Sequence, residues 1–280
     1  MSLSAFLTDR LGEGAILVTL TRVEGSTPRE AGACMAVGHG ATAGTIGGGQ
    51  LEFHCIDIAR QMLSEGLRDQ SLDIPLGPQM GQCCGGRVRV SLKRVLPADA
   101  ALIAAREKAQ AEMRPAVLVF GAGHTGRALA AALAPLPFRI CLIDDRDDVL
   151  SGLPPAVTCI RMADPVEAVA DATAGAAFVI LTHSHALDYR LAEAALARGD
   201  AAYVGMIGSA TKRARFESGF LRSGGREATL ARLTCPIGGC DVDDKRPEVI
   251  SALTAAELVR CLLGRSHPAR RRQVHDEPAA

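Results

Sequence analysis

The strongest constraint on how this chain folds is a glycine-rich turn set between a strand and a helix. The apolar run Ala116 to Phe120 leads directly into Gly121-Ala122-Gly123-His124-Thr125-Gly126, which opens the helix-favouring stretch RALAAALA. A GxGxxG spacing alone is common. With a strand before it, a helix after it and an acid ending the next strand, it marks a Rossmann-type turn. That acid is Asp144, 23 residues after Gly121, at the end of the run FRICLI. Gly121 permits the tight turn, Gly123 lets the backbone approach a pyrophosphate, and Gly126 allows the helix to pack closely on the strand. Free amides at the helix start, beside His124, attract anionic phosphate, and the Asp144 carboxylate is placed to accept ribose hydroxyls. The same glycines also serve a βαβ turn that holds no ligand, because fold does not carry function with it.

The pattern downstream fits this reading. AVLVF, FRICLI, VTCI, AAFVILT and AAYVGMIG alternate with helical stretches that begin at His124, near Pro165 and at Ala186. Continuous apolar strands separated by helices predict a parallel sheet covered on both faces. Upstream the pattern differs: Ala15 to Val23, Ala33 to Val37 and Gly86 to Val95 read as strands of an α+β domain, with a helix over Gln50 to Leu63. The expected fold class is therefore α/β, a C-terminal Rossmann-type parallel sheet domain plus a smaller N-terminal α+β domain. At 280 residues two domains are the natural division. We expect an N-terminal domain over 1–97, an Ala-rich linker helix over 98–113, the Rossmann-type domain over 114–264, and a solvated tail over 265–280.

Several other turns carry candidate chemistry. Thr182-His183-Ser184-His185 follows an apolar strand at the sheet edge where α/β ligands bind, and His183 and His185 can ligate a metal or move protons. A polar loop capping the next helix explains them equally well. Val204 to Ser209 is a second strand-to-helix turn, followed by Lys212 and Arg213; it reads either as another anion site or as a capped surface helix with solvated bases. In the N-terminal half, Gly25-Ser26-Thr27-Pro28-Arg29 pairs a turn with a bidentate anion reader, Arg29. Gly47, Gly48 and Gly49 stand at a helix entrance, where they form either a backbone nest for an oxyanion or a tight corner.

Gly81-Gln82-Cys83-Cys84-Gly85-Gly86 is a poor sequence for core packing. Adjacent thiols diverge, so Cys83 and Cys84 do not form a CxxC zinc pair. A reactive thiolate, a sulfur acceptor, a soft-metal contact and an ordinary buried cysteine stay open. Nine cysteines, an odd number on a long chain, read as reduced thiols and not as a disulfide framework. Lys plus Arg and Asp plus Glu are both 31, so no overall field draws nucleic acid or an anionic membrane. No run reaches the ~18 apolar residues of a membrane span. The expectation is a cytoplasmic protein.

Taken together, GSTPR at 25–29, GTIGGGQLE at 44–52, GQCCGG at 81–86, FGAGHTGRAL at 120–129, THSHALD at 182–188, IGSATKRARF at 207–216 and CPIG at 235–238 resemble the xanthine dehydrogenase accessory proteins, the maturation family of xanthine and carbon monoxide dehydrogenases. After CPIG, Gly239 to Asp244 departs from many relatives, which continue with Leu and a Pro-Gly turn. The resemblance implies a chaperone that binds molybdenum cofactor, a molybdopterin, protects it while a cysteine desulfurase supplies its sulfido ligand, and delivers it to apo-xanthine dehydrogenase. It implies a homodimer and no catalysis of its own. Carried onto this chain, it makes Gln82, Cys83, Cys84, Arg29 and Gly47 to Gly49 candidates for gripping pterin, metal or phosphate, with Cys83 and Cys84 as molybdenum contacts. Gly121, Gly123, His124, Gly126 and Asp144 would then serve a phosphate, NAD(P) or another nucleotide. The competing reading is an NAD(P)-dependent oxidoreductase. It is weakened because His39 and His54, the histidines of the first domain, sit in no evident catalytic motif.

Overall fold

Strict alternation along the N-terminal strands decides which side of their sheet faces a core. In β5 (Arg87–Arg94) Val88, Val90 and Leu92 are buried while Arg87 and Arg89 are exposed. The computed structural model describes residues 2–77 and 85–264. They fall into two compact units that part between Gln110 and Ala111.

The first unit is an antiparallel sheet of β1 (Ile16–Glu24), β2 (Cys34–Val37), β3 (Thr42–Gly44), β4 (Asp69–Pro75) and β5, in the order β3-β2-β1-β5-β4. Helix α2 (Gly49–Glu65) covers one face, packing Leu51, Cys55, Ala59 and Met62 on Ile16, Val18, Leu20 and Val90. Helices α1 (Leu3–Arg10) and α3 (Pro97–Glu112) meet the other face, where Phe6, Leu7 and Ala100 pack with Ala15 and Ala36. A register shift between Leu20 and Arg22 interrupts the β1–β5 ladder. Beyond it Val23, and not its even-numbered neighbours, joins the core, so the bulge re-aims the strand end that leads into Gly25.

The second unit is the parallel sheet expected from the sequence. Strands β6 (Ala116–Phe120), β7 (Arg139–Asp144), β8 (Val157–Arg161), β9 (Ala177–Ile180), β10 (Tyr203–Met206) and β11 (Leu233–Thr234) lie in the order β11-β10-β9-β6-β7-β8. Helices α4 (His124–Leu133) and α9 (Pro247–Leu263) cover one face through Leu129, Leu133 and Leu258. Helices α5 (Val166–Asp171), α6 (His185–Ala197), α7 (Ala210–Arg222) and α8 (Glu227–Leu230) cover the other through Val169, Leu191, Phe216 and Leu230. Every residue of β9 and β10 is buried, as a two-sided sheet requires. From β6 the chain steps one way to β7 and β8, then returns to β9 on the other side. That reversal opens a crevice at the carboxyl ends of β6 and β9, the place where α/β ligands bind.

Helix α1 was not foreseen from the sequence, and a remote acid explains how so short a helix is held. Glu107 of α3 accepts from the free amides of Leu3 (3.0 Å) and Ser4 (3.3 Å) and from the Ser4 hydroxyl. It places a carboxylate at the positive end of the helix dipole. We expect Glu107→Ala to lower the stability of this unit by about 1 kcal/mol and to speed amide exchange across residues 3–10. Unchanged exchange there would show that apolar packing alone holds the helix.

Candidate functional site

The carboxyl edge of the parallel sheet gathers the loops that follow β6, β7, β9 and β10. At the first of these, Gly121 has φ +108, a conformation closed to most side chains, and a Cβ there would collide with Leu181 and lie 2.9 Å from Thr182 Cα. The β6 and β9 loops therefore touch through bare backbone at the switch point. A Cβ on Gly126 would overlap the Gly121 carbonyl oxygen, which gives the third glycine its packing role. Gly123 differs: nothing lies near its Cβ position, and it caps α4 without any side-chain hydrogen bond. His124 beside it is exposed. This end of α4 offers backbone amides to an outside acceptor.

Asp144 ends β7 as expected, but its carboxylate points inward. It accepts from Ala122 N (2.7 Å), Arg146 N (3.0 Å), Arg146 Nε (2.9 Å) and Arg146 Nη2 (3.0 Å). Four bonds fill the acceptor positions of a carboxylate. A ribose diol would have to take the place of one of these donors. Burial pushes the carboxyl upward, yet the bonds from Arg146 and from the Ala122 amide outweigh it and hold the group well below the ordinary carboxylate range.

At the third and fourth loops the structure joins two motifs that looked separate. Asp188, wholly buried in the first turn of α6, accepts from Thr182 N (2.9 Å) and Thr182 Oγ1 (2.7 Å), and takes an ion pair from Lys212 Nζ. Lys212 also donates to the Ile207 carbonyl (2.8 Å). Its reading as a solvated surface base does not hold: Lys212 is buried, and Gly208 leaves the room its stem needs, since a Cβ there would lie 2.7 Å from Lys212 Cδ. Arg213 turns to the Cys235 carbonyl (2.7 Å) and to Glu217 (2.7 Å). The Cys235 thiol is raised by burial against the pull of Lys212 and Arg213. His183 and His185 are exposed, and Ser184 caps α6 by accepting from Leu187 N (3.4 Å). Among the described residues no group of three or more His, Cys, Asp or Glu is placed to hold a metal ion.

In the first unit, three motif loops converge. A Cβ on Gly47 would lie 2.6 Å from Pro28 Cγ and 3.5 Å from Arg29 Cγ, so the glycine run packs against the GSTPR loop. A Cβ on Gly86 would lie 2.7 Å from the Glu24 carbonyl oxygen and would overlap that of Ser26, while Gly25 faces Gly86 in return. Gln82, Cys83 and Cys84 lie outside the described residues; Gly85 and Gly86, which end their motif, stand at this junction. Arg29 is exposed. Gly47, Gly48 and Gly49 all have positive φ, and the amides of the loop already have an anion. Glu52 Oε2 accepts from Ile46 N (3.1 Å), Gly48 N (3.1 Å) and Thr45 Oγ1 (2.6 Å). Sequence reasoning left Glu52, Arg146 and the Asp188–Lys212 pairing without roles. The one signal available was an acid in the first turn of a helix, at Glu52 and at Asp188.

A cavity of about 600 Å³ lies on the face of β6 to β8, lined by Leu118, Ile143, Ile160 and Met162. None of Gly121 to Gly126 is part of its lining.

Comparison with known proteins agrees with this architecture. Residues 117–258 match the XdhC Rossmann domain, and residues 9–72 match the XdhC and CoxI family. The chain is similar to an uncharacterized Escherichia coli (strain K12) protein, YqeB, with 28% identity over 247 residues; these cover 84% of this chain and 41% of that protein, so the chain spans about two fifths of its relative. A solved Bacillus halodurans structure described as a xanthine dehydrogenase superposes with a TM-score of 0.76 at 18% identity, covering 97% of this chain and 98% of the other, a likeness of fold.

Two outcomes follow from the buried carboxylates. Asp188→Asn and Lys212→Met each leave one buried charge uncompensated and should cost roughly 3–5 kcal/mol in urea unfolding. The double variant should cost less than the two added together by roughly 1–3 kcal/mol; strict additivity would mean that the pair is not coupled. The depressed Asp144 carboxyl contributes stability above its unfolded value of ~4, and that contribution is lost as pH falls below it toward the folded value. Asp144→Asn should therefore flatten part of the fall in stability below pH ~4. An unchanged acid limb would assign that fall to other carboxyls.

Proposed function

This chain belongs to the XdhC family, and from that membership we propose that it is an accessory factor in xanthine dehydrogenase maturation, acting by binding and transfer without substrate turnover. Its cargo in this reading is molybdenum cofactor, received and protected while a cysteine desulfurase adds the sulfido ligand, then passed to apo-xanthine dehydrogenase by a homodimeric carrier. The observation that carries the proposal is the convergence of the GSTPR loop, the glycine run and the Gly85–Gly86 end of the cysteine motif at one place in the N-terminal unit.

The chemistry of the cargo matches what these loops offer. A phosphate monoester suits the exposed guanidinium of Arg29, which presents a planar fork to oxyanions. Molybdenum in a dithiolene is a soft centre, for which the thiolates of Cys83 and Cys84 are suitable partners. Gln82 can meet the hydrogen-bonding edge of a pterin. Glu52 is already joined to the amides of the glycine run. The contribution of Gly47 is therefore to let the loop pass close to Pro28, and the phosphate falls to Arg29.

The parallel sheet has a separate task in this reading. Gly121, Gly123 and Gly126 hold the pyrophosphate of a nucleotide at the start of α4, with His124, His183 and His185 at the rim and Asp144 on the ribose side. Here Asp144 also fixes the turn itself through Ala122 N.

The test is purification from a molybdopterin-producing host, with molybdenum and pterin measured on the protein, followed by activation of apo-xanthine dehydrogenase. The wild type should carry both and activate. The double change Cys83→Ala, Cys84→Ala should keep the circular dichroism spectrum and lose cargo or transfer at least tenfold. Equal activation by the two proteins would remove these cysteines from the role, and absence of pterin from the wild type would remove the carrier reading itself.

A further inference from the structure

We propose that the Rossmann turn selects a nucleotide whose adenosine ribose carries a free 2′-hydroxyl and discriminates against a 2′-phosphate. The inference rests on the reading that this turn holds a nucleotide, and it names which one. Where such a turn binds a dinucleotide, the residues just past the second strand meet the ribose: an acid there accepts from the diol, whereas a free arginine accommodates a 2′-phosphate. In this chain that position is the segment Asp144-Asp145-Arg146-Asp147-Asp148 at the end of β7.

The segment contains one arginine, and it is not free. Arg146 donates twice to Asp144 through its side chain, and its Nε lies 3.9 Å from Asp145. The other two guanidiniums near the segment are also committed. Arg161 of β8 pairs with Asp147 at 3.1 Å and donates to the Asp145 carbonyl at 3.3 Å. Arg127 of α4 turns to the carbonyl of Val149. Asp144, Asp145 and Asp147 thus meet two guanidiniums while a carbonyl holds the third, and Asp145, Asp147 and Asp148 are exposed.

This arrangement treats the two riboses differently. A neutral diol can exchange with Arg146 at the Asp144 carboxylate, hydroxyl donors replacing N–H donors, while the displaced guanidinium keeps Asp145 and Asp148 as neighbouring anions. A 2′-phosphate brings close to two further negative charges and no donor for Asp144. It would have to draw Arg146 away from carboxylates that remain beside it, and like charges this close are unfavourable even near the surface.

The experiment is titration calorimetry of the full chain with NAD+ and NADP+ at low ionic strength, repeated on Asp145→Asn, Asp147→Asn. Both changes fall on exposed side chains, so the fold is not at risk. We expect NAD+ to bind at least tenfold more tightly than NADP+. In the double variant the gap should shrink at least threefold, through a gain for NADP+. Wild-type affinity for NADP+ equal to or above that for NAD+ overturns the discrimination and leaves the nucleotide reading standing. An unchanged gap in the variant overturns its assignment to these acids. Binding of neither dinucleotide overturns the nucleotide reading and this inference with it.

Discussion

A carboxylate with no exposure to solvent has to be answered inside the protein, and at Asp188 the answer ties together most of the sheet edge. Its partners are Thr182, from the loop after β9, and Lys212, from the first turn of α7 beyond β10. Lys212 carries the linkage on to Ile207, and its neighbour Arg213 carries it to Cys235. Leaving any member unpaired would strand a charge or a polar group in low dielectric, so these loops have little freedom to shift independently. The touching backbones of Gly121 and Leu181 extend the same constraint to the turn after β6. The crevice at the switch point is thereby defined before any ligand arrives, which is what a site with little cost of rearrangement requires.

Two carboxylates in this chain sit where an external anion might be expected. Asp144 takes the Ala122 amide within the glycine turn, and Glu52 takes the Ile46 and Gly48 amides within the glycine run. In both places the backbone donors that make a loop look like a phosphate site are in part met internally, because free amides packed against a core would otherwise lack partners. The distinction between the two loops then lies in what is left over. At α4 the cap residue Gly123 has no side-chain bond and open space at its Cβ position. At α2 Gly47 is pressed against Pro28, and the exposed guanidinium of Arg29 lies beside it.

Much of the fold was legible because burial on both faces writes a continuous apolar run. AVLVF, AAFVIL and AAYVGM became β6, β9 and β10 for that reason, and the spacing of Leu51, Ile58 and Met62 became α2. What escaped notice was polar or short. Strand β4 reads DQSLDIP, with one residue buried, and is held by its ladder to β5; β11 is two residues long; α1 depends on an acid about a hundred residues away. At the site, the glycine spacing and Asp144 could be placed from sequence, since each follows a strand at a fixed interval. The direction in which Asp144 points, and the meeting of Asp188 with Lys212 between the first turns of α6 and α7, could not. Both depend on which side chains share a buried volume, and periodicity carries no such information.

The two sets of loops differ in a way that bears on the proposed carrier role. A carrier has to let go: at an association rate of about 10⁶ M⁻¹s⁻¹, nanomolar affinity already implies a residence time of order 10³ s. Tight holding and prompt delivery are then compatible only if the acceptor protein can reach the cargo while it is bound. Arg29 and the loop it ends are exposed, so a phosphate gripped there stays accessible from solvent. The carboxyl edge of the parallel sheet, by contrast, is fixed by buried charge and by glycines that admit no side chain. A ligand held at such an edge gains from a preformed site and is released slowly without help. In the proposed reading, this physical division pairs the transferred cargo with the exposed loops of the first unit and the proposed nucleotide with the rigid edge of the second.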